Sequence, residues 1–282
     1  MSTPSIPTLT LANGASIPQL GFGTYLVAPE DAVATVTQAL ELGYRHIDTA
    51  QMYRNEAEVG HAINSSGIDR SDIFLTTKLN NSNHAPDDAR RSFDQSLKDL
   101  GTDYVDLFLI HWPLPMHYGG DFLGCWRLLE EFHADGRARA IGVSNFHEEH
   151  LRDILAEGEV KPMVNQIEAH PYTANNEVRE FSKANGMVVE AWSPLARGKV
   201  STDPVLTEIG AKYGRTSGQV ALRWALQRGD VIFPKSLRRE RMLENLDLFS
   251  FELSDEDFAA IAALDQGEDG RTGVHPNVMD RL

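Results

Sequence analysis

The sequence predicts a closed (β/α)8 barrel, an α/β fold in which eight parallel strands alternate with crossover helices. The first observation is that apolar, β-branched runs alternate with segments of helical period about eight times within 282 residues. The second is that Gly21 and Gly23 are followed by Leu26, where an open nucleotide-binding sheet usually has a third glycine. Because no linker or low-complexity tract divides the chain, we expect a single domain over residues 1–282.

The predicted strands are short apolar runs typical of strands buried on both faces. They cover residues 19–25, 45–48, 73–79, 105–110, 140–144, 163–168, 187–191 and 231–233, the first being the weakest. Ahead of them, Asn13-Gly14 lies between two short strand-like pieces in residues 9–17, which is a strong hairpin signal. We expect this hairpin to plug the N-terminal end of the barrel.

The predicted helices carry apolar stripes and end signals. Three stripes are closed by glycine: Val33, Val36 and Leu40 before Gly43; Phe93, Leu97 and Leu100 before Gly101, with Pro86 near the start; and Trp126, Leu129 and Phe132 before Gly136. Further helices are predicted over residues 204–213, 217–227 and 239–248, and a last one opens at a capping box of Ser254 and Asp257. From Asp269 onward no periodicity remains, so we expect a mobile tail.

Composition excludes several classes of protein. Lys and Arg total 26 against 41 Asp and Glu, so the net charge of −15 disfavours binding to nucleic acid or to anionic membranes. No run approaches the roughly 18–20 apolar residues of a membrane span, and the first seven residues lack the basic start and apolar core of a secretion signal. The single cysteine, Cys125, excludes an internal disulfide. We therefore expect a soluble, cytoplasmic protein.

Polar side chains recur where the predicted strands end, which in such a barrel is the rim that carries active sites. These strand-end residues are Asp48, Lys78, His111, Ser144, Asn145, Gln166, Glu168, Trp192, Ser193, Lys235 and Ser236. Each has an ordinary structural explanation when taken alone, such as a loop cap for Asp48 or a snorkelling side chain for Lys78. Together, around one rim, they favour a functional site. A catalytic metal is disfavoured because His46, His111 and His170 form no His-x-His pair.

A basic cluster marks a second candidate site. Residues 235–241 contain Lys235, Arg238, Arg239 and Arg241 at the start of a predicted helix, where cations oppose the helix dipole. A bound phosphate would explain them, although charges paired with neighbouring acids are the alternative.

The motifs at these positions resemble the aldo-keto reductase family, over residues 6–275. The matching segments are Gly43-Tyr44-Arg45-His46-Ile47-Asp48-Thr49-Ala50 with Tyr53, Asn55 and Glu56; His111-Trp112-Pro113; Ile141-Gly142-Val143-Ser144-Asn145-Phe146; Asn165-Gln166-Ile167-Glu168; and Pro234-Lys235-Ser236 with Arg241, Glu244 and Asn245. Trp192 and His275-Pro276 are most similar to the branch of bacterial 2,5-diketo-D-gluconate reductases.

The resemblance implies a catalytic tetrad of Asp48, Tyr53, Lys78 and His111. Hydride reduction of a carbonyl leaves negative charge on oxygen, so an acid must supply a proton there. Tyr53 would be that acid; Lys78, paired with Asp48, would lower its pKa, and His111 would orient the substrate. We expect an NADPH-dependent reductase of small dicarbonyls, keto-sugar acids or aromatic aldehydes, acting as a monomer. The alternative from another class is an NADPH-binding redox-sensing module with little turnover.

The resemblance also implies a cofactor site. It places the nicotinamide amide at Ser144, Asn145 and Gln166, the ring on Trp192, and the pyrophosphate under Ser193 and Leu195. The remaining implied contacts are Lys235, Ser236 and Arg241 to the 2′-phosphate, Glu244 and Asn245 to the adenine, and Gly23, Thr24, Tyr25 and Asp48 elsewhere along the cofactor.

The substrate pocket departs from the family at one wall. Many relatives have Trp after Lys-Leu, whereas this chain has Asn80. The residues expected around the substrate are Tyr25, Tyr53, His111 and Trp112, with the loop over residues 114–121 lining the remainder.

Overall fold

The structure is a computed structural model that describes residues 6–282. Residues 1–5 lie outside the described residues. They belong to the first seven residues, in which the sequence shows no features of a secretion signal. None of the helices within residues 6–282 combines the length and apolar character needed to cross a lipid bilayer.

A two-stranded antiparallel hairpin precedes the barrel, as predicted. Its strands are β1 (Thr8–Thr10) and β2 (Ser16–Pro18), joined by a turn in which Gly14 has a positive φ of 84°. Leu11 and Ile17 are buried in an apolar cluster with Phe74, Leu107, Leu109, Ala140, Met163, Val164 and Val231. Since these partners lie in the barrel strands or directly beside them, the hairpin closes the N-terminal end of the barrel.

Eight parallel strands follow and form the predicted (β/α)8 barrel. They are β3 (Phe22–Gly23), β4 (His46–Asp48), β5 (Phe74–Leu79), β6 (Val105–Ile110), β7 (Ala138–Ser144), β8 (Val164–Glu168), β9 (Val188–Trp192) and β10 (Val231–Ile232), paired in this order. Leu20 bridges to Ile232, and the backbone N–H groups of Gly21 and Ile232 donate to Ile232 and Gln19 respectively. These bonds join the first strand to the last and close the barrel.

Ten α-helices of the described chain surround the strands. They are α1 (Pro29–Leu42), α2 (Glu56–Ser65), α3 (Pro86–Leu100), α4 (Phe122–Ala134), α5 (Glu148–Glu157), α6 (Asn176–Ala184), α7 (Pro204–Tyr213), α8 (Ser217–Gln227), α9 (Arg239–Leu246) and α10 (Asp255–Ala262). The predicted ends are confirmed: Gly43 and Gly101 are left-handed caps, and Ser254 with Asp257 forms a capping box. The sequence patterns did not single out α2, α5 and α6.

The prediction of a mobile tail from Asp269 was wrong. Two 3-10 turns, Gly267–Gly270 and Pro276–Val278, fold this segment back over the C-terminal end of the barrel. Met279 is only 6% exposed, and it packs with Trp112 and Leu114. The segment lacks periodicity because it is held by single polar contacts and by apolar residues that are isolated along the chain.

Candidate active site

A cavity of about 600 Å³ opens at the C-terminal ends of the barrel strands. Thirteen of the residues expected at the site line it: Gly23, Tyr25, Asp48, Tyr53, His111, Trp112, Ser144, Asn145, Gln166, Trp192, Ser193, Leu195 and Lys235. They lie at the C-terminal ends of β3, β4 and β6 to β10 or shortly after them, so the strand-end positions that look unrelated along the sequence come together at one rim.

An ion pair forms the floor of this cavity. Lys78, at the end of β5, is fully buried, and its Nζ donates to Oδ1 and Oδ2 of Asp48 at 2.7 and 2.8 Å and to the carbonyl of Thr49 at 2.8 Å. Burial is the largest single effect and disfavours the charged lysine, but Asp48 and its neighbours, Tyr53 foremost, together outweigh burial and leave the pKa of Lys78 above its ordinary value. Lys78 is therefore an ammonium group beneath the cavity, with Asp48 as its counter-ion.

Tyr53 stands above that charge. The 3-10 turn Gln51–Tyr53 follows β4 and brings the Tyr53 hydroxyl to 3.4 Å from Lys78 Nζ. Although one side of the ring faces the cavity, burial of the rest raises the pKa of Tyr53 to about 12, against the opposing effect of Lys78. Lys78 acts in the expected direction, since it lowers the pKa of Tyr53, but desolvation has the larger effect. The phenol is fully protonated at neutral pH.

His111 faces Tyr53 across the cavity, with ring centroids 5.8 Å apart. Burial, reinforced by the positive charge of Lys78, holds the pKa of His111 well below its ordinary range, so the ring is neutral at physiological pH. Its Nδ1 is buried and has no hydrogen-bond partner within residues 6–282. A neutral imidazole can donate or accept one hydrogen bond at the cavity, but its N–H is far too weak an acid to protonate a substrate.

A chain of hydrogen bonds connects His111 to the floor. Asn145 Nδ2 donates to the His111 carbonyl and to Ser144 Oγ, both at 3.0 Å, and Ser144 Oγ donates to the Gln166 carbonyl at 3.1 Å. The side-chain amide of Gln166 then donates through Nε2 to Asp48 Oδ2 at 2.9 Å. The other end of the chain is Trp192, whose Nε1 donates to Asn145 Oδ1 at 2.8 Å. These bonds fix the orientation of the amides around the cavity.

Most of the expected phosphate end of the site lies apart from the cavity. Lys235 lines the cavity and is exposed, whereas Ser236, Arg241, Glu244 and Asn245 do not line it. Arg241 Nη1 is paired with Glu244 at 2.9 Å, the kind of neighbouring acid that the alternative interpretation invoked. Thr24 is also away from the cavity; it is fully buried, and its hydroxyl donates to the Asp48 carbonyl.

The substrate side differs from what the sequence predicted. No residue of the loop 114–121 lines the cavity; the wall is completed by the C-terminal segment, through Gly273, Val274, Met279 and Arg281. Asn80 does not line it either, because its side chain bonds the Asn81 amide and Ser82, and Asn81 takes the place at the wall. A Cβ on Gly273 would lie 2.4 Å from Trp192, so a glycine is required there for the segment to approach the ring.

Glu168 holds the C-terminal segment in place. Its carboxylate, at the end of β8, accepts hydrogen bonds from the Thr272 amide at 2.6 Å, the Gly273 amide at 3.1 Å and His170 at 3.0 Å. Burial alone would raise the pKa of Glu168, but these donors lower it to about 2. The sequence contained one signal for this contact, since Glu168 is a charged residue closing a buried strand.

Comparison with known proteins agrees with this architecture. The model of the aldo/keto reductase family matches residues 19–266. The glyoxal reductase of Bacillus subtilis is 43% identical over 99% of both chains. Among solved structures, a variant of Gox0644 in complex with NADPH shares 39% identity with a TM-score of 0.93, over 98% of this chain and all of that one. A 2,5-diketo-D-gluconic acid reductase B, described as putative, shares 40% identity with a TM-score of 0.91, over 96% and 95%.

The family match covers most of the chain, and it includes every strand of the barrel. The fold, the strand-end residues and the near-complete alignment with named reductases therefore lead to one conclusion. The chain belongs to the aldo/keto reductase family.

Proposed function

We propose that the protein reduces aldehydes or ketones to alcohols with NADPH, and that Tyr53 is the proton donor. The observation that carries this proposal is the Tyr53 hydroxyl 3.4 Å from a buried ammonium group, at the base of an open cavity. A phenol beside a fixed cation can release a proton to an oxygen that is gaining negative charge, because the cation stabilises the phenolate left behind.

The cavity has the groups that a nicotinamide cofactor needs. Ser144, Asn145 and Gln166 supply hydroxyl and amide groups for a carboxamide, next to the half-buried ring of Trp192, on which a flat heterocycle can stack. At the other side, Lys235 is an exposed cation that suits a phosphate. Solved relatives of this chain are described in complex with NADPH or NADP. We therefore assign NADPH to this cavity, with Ser193, Leu195, Ser236, Arg241, Glu244 and Asn245 as further contacts.

In the reaction, NADPH supplies the hydride to the carbonyl carbon when it is bound. The Tyr53 hydroxyl donates its proton to the carbonyl oxygen, which becomes the alcohol, and Tyr53 is left as a phenolate beside Lys78. Asp48 keeps Lys78 charged and in position, since both carboxylate oxygens accept from Nζ. His111, being neutral, donates one hydrogen bond to the same oxygen and so orients the carbonyl. Solvent then returns a proton to Tyr53.

The residues around the substrate end of the cavity favour small or polar carbonyl compounds as substrates. Tyr25, which is 50% exposed, and Trp112 flank Tyr53 and His111, and Asn81 and Arg281 add polar groups to the same cavity. The relatives include proteins named glyoxal reductase and morphine 6-dehydrogenase, so the family accommodates very different substrates on this scaffold. We propose dicarbonyls, keto-sugar acids and aromatic aldehydes as the classes to test.

The test is NADPH consumption across a panel of methylglyoxal, aromatic aldehydes and keto-sugar acids, with the alcohol product identified. We expect turnover with at least one class, and its loss in Lys78→Met, which removes the cation but keeps most of the side-chain length. Tight NADPH binding without turnover on the whole panel would contradict the reductase and favour the redox-sensing module.

A further inference from the structure

Glu190 is a buried carboxyl group beside the tetrad that the reaction above does not use. It lies on β9, is 0% exposed, and faces Gln166 directly in the register between β8 and β9. Its Oε2 accepts a hydrogen bond from Gln166 Nε2 at 2.8 Å. Its Oε1 has no hydrogen-bond partner within residues 6–282, and the nearest cationic candidate, His46 Nε2, is 3.8 Å away.

This position is unfavourable for a carboxyl group. Burial, together with the negative charge of Asp48, raises the pKa of Glu190 to about 8. An apolar side chain of similar size would avoid the desolvation cost, as it often does when buried charges are replaced. Packing therefore does not explain the residue, and its single hydrogen bond to Gln166 is the contact to be explained.

The hydrogen bond between Gln166 and Glu190 completes the orientation of the Gln166 side-chain amide. Gln166 Nε2 has two hydrogens; one is donated to Asp48 Oδ2 at 2.9 Å and the other to Glu190 Oε2 at 2.8 Å. The Asp48 carboxylate only accepts hydrogen bonds, so Nε2 rather than Oε1 must face this side. Glu190 accepts the second bond in either protonation state, because a protonated carboxyl group keeps a carbonyl oxygen. Oε1 of Gln166 is then turned away from both carboxyl groups, and no donor within residues 6–282 bonds it.

We propose that Glu190 is a positioning residue that aims Gln166 Oε1 at the carboxamide NH2 of the nicotinamide. With Asp48 alone the amide would be held by one bond and could rotate about it; Glu190 supplies the second bond and fixes the amide plane. This inference rests on the proposed function, which places the nicotinamide at Gln166. Its consequence is selectivity: the site favours a ring substituent that donates a hydrogen bond, which a carboxamide does and an acetyl group does not.

The experiment compares dissociation constants for NADPH and for its reduced 3-acetylpyridine analogue, which lacks the NH2 donor. In Glu190→Met, which keeps the length of the side chain without its acceptor, the preference for NADPH falls by about tenfold, the effect of one hydrogen bond. Glu190→Gln, which retains an acceptor oxygen, keeps the preference of the wild type. Glu190→Val serves as a second acceptor-free variant in case Glu190→Met does not fold, since valine suits a buried strand.

The controls separate this inference from the cofactor assignment. Thr77→Val removes another buried hydrogen bond of the barrel, from Thr77 to Glu56 at 2.6 Å, and leaves the preference unchanged. Gln166→Ala removes the acceptor itself and lowers the preference. An unchanged preference in Glu190→Met and Glu190→Val, with the loss seen in Gln166→Ala, would overturn the role of Glu190 alone. No loss in Gln166→Ala would overturn the placement of the nicotinamide as well.

Discussion

Replacing Glu168 by Gln should release the C-terminal segment from the cavity. The carboxylate accepts from the amides of Thr272 and Gly273, from the Thr272 hydroxyl and from His170, with Arg271 Nη1 at 3.3 Å. All of these partners are donors. A glutamine offers them one oxygen and turns an NH2 group toward the rest, so at least one buried donor loses its acceptor.

The pKa of Glu168 gives the size of the effect. A fall from its ordinary value of 4.5 to about 2 corresponds to roughly 3 kcal/mol of stability at neutral pH. Because the folded-state pKa is lowered, this stability is present above pH 4.5 and is lost as the pH falls through about 2. If this free energy opposes the local opening of the segment, its loss in Glu168→Gln makes amide exchange at Thr272 and Gly273 about a hundredfold faster.

The assay is hydrogen exchange at neutral pH, followed in the peptide that contains residues 269–282. The matched control is Glu268→Gln, which removes the same charge from an exposed carboxylate that pairs with the buried Arg271 side chain at 2.7 Å. A pair whose carboxylate is in contact with solvent contributes about 0–1 kcal/mol, so exchange in the control should change by less than about fivefold. Unchanged protection in Glu168→Gln, or equal acceleration in the two variants, would refute the reasoning.

Three further outcomes are expected. Arg241→Ala should raise the dissociation constant of NADPH by about 10- to 100-fold and leave that of NADH nearly unchanged, because a charge-assisted phosphate contact is lost. An equal rise of the two dissociation constants, or the same effect in Arg239→Ala, would contradict this. Since the pKa of Glu190 is raised to about 8, the stability it contributes in the protonated form is lost as the pH rises from about 4.5 through 8, and the Tm of the wild type should fall relative to Glu190→Gln over that range; parallel Tm curves would count against a neutral Glu190. Ile17→Ala, which opens a void in the barrel plug, should lower the unfolding free energy by about 2–5 kcal/mol in urea titrations without changing kcat; a large fall in kcat would mean that the plug is coupled to the cavity.

The barrel could be predicted because its signals are local. Strands buried on both faces are continuous apolar runs, and helices such as α1 and α3 carry a stripe and a glycine cap, so elements of this kind can be identified within a dozen residues. The rim residues followed from the strand ends, because parallel strands of a barrel deliver their carboxyl ends to one face.

What could not be predicted depends on contacts between distant segments. Glu168 binds Thr272 from 104 residues away, and Asn81 bonds the Arg281 carbonyl from 200 residues away. Neither contact leaves a periodic pattern, so the tail was expected to be mobile and Asn80 was assigned to a wall that Asn81 forms. The direction of the pKa shift of Tyr53 also could not be predicted from the sequence, since it depends on whether desolvation or Lys78 has the larger effect.

The central claim is that Tyr53 gives the proton that accompanies hydride transfer. The most direct test is a single-turnover measurement of NADPH oxidation by a reactive aldehyde, in the wild type and in Tyr53→Phe. Phenylalanine keeps the packing against Tyr25, whose ring centroid is 5.2 Å away, and removes only the hydroxyl. We predict that NADPH binding is retained and that the hydride-transfer rate falls by about 10²- to 10⁴-fold. A rate in Tyr53→Phe close to that of the wild type would contradict the account.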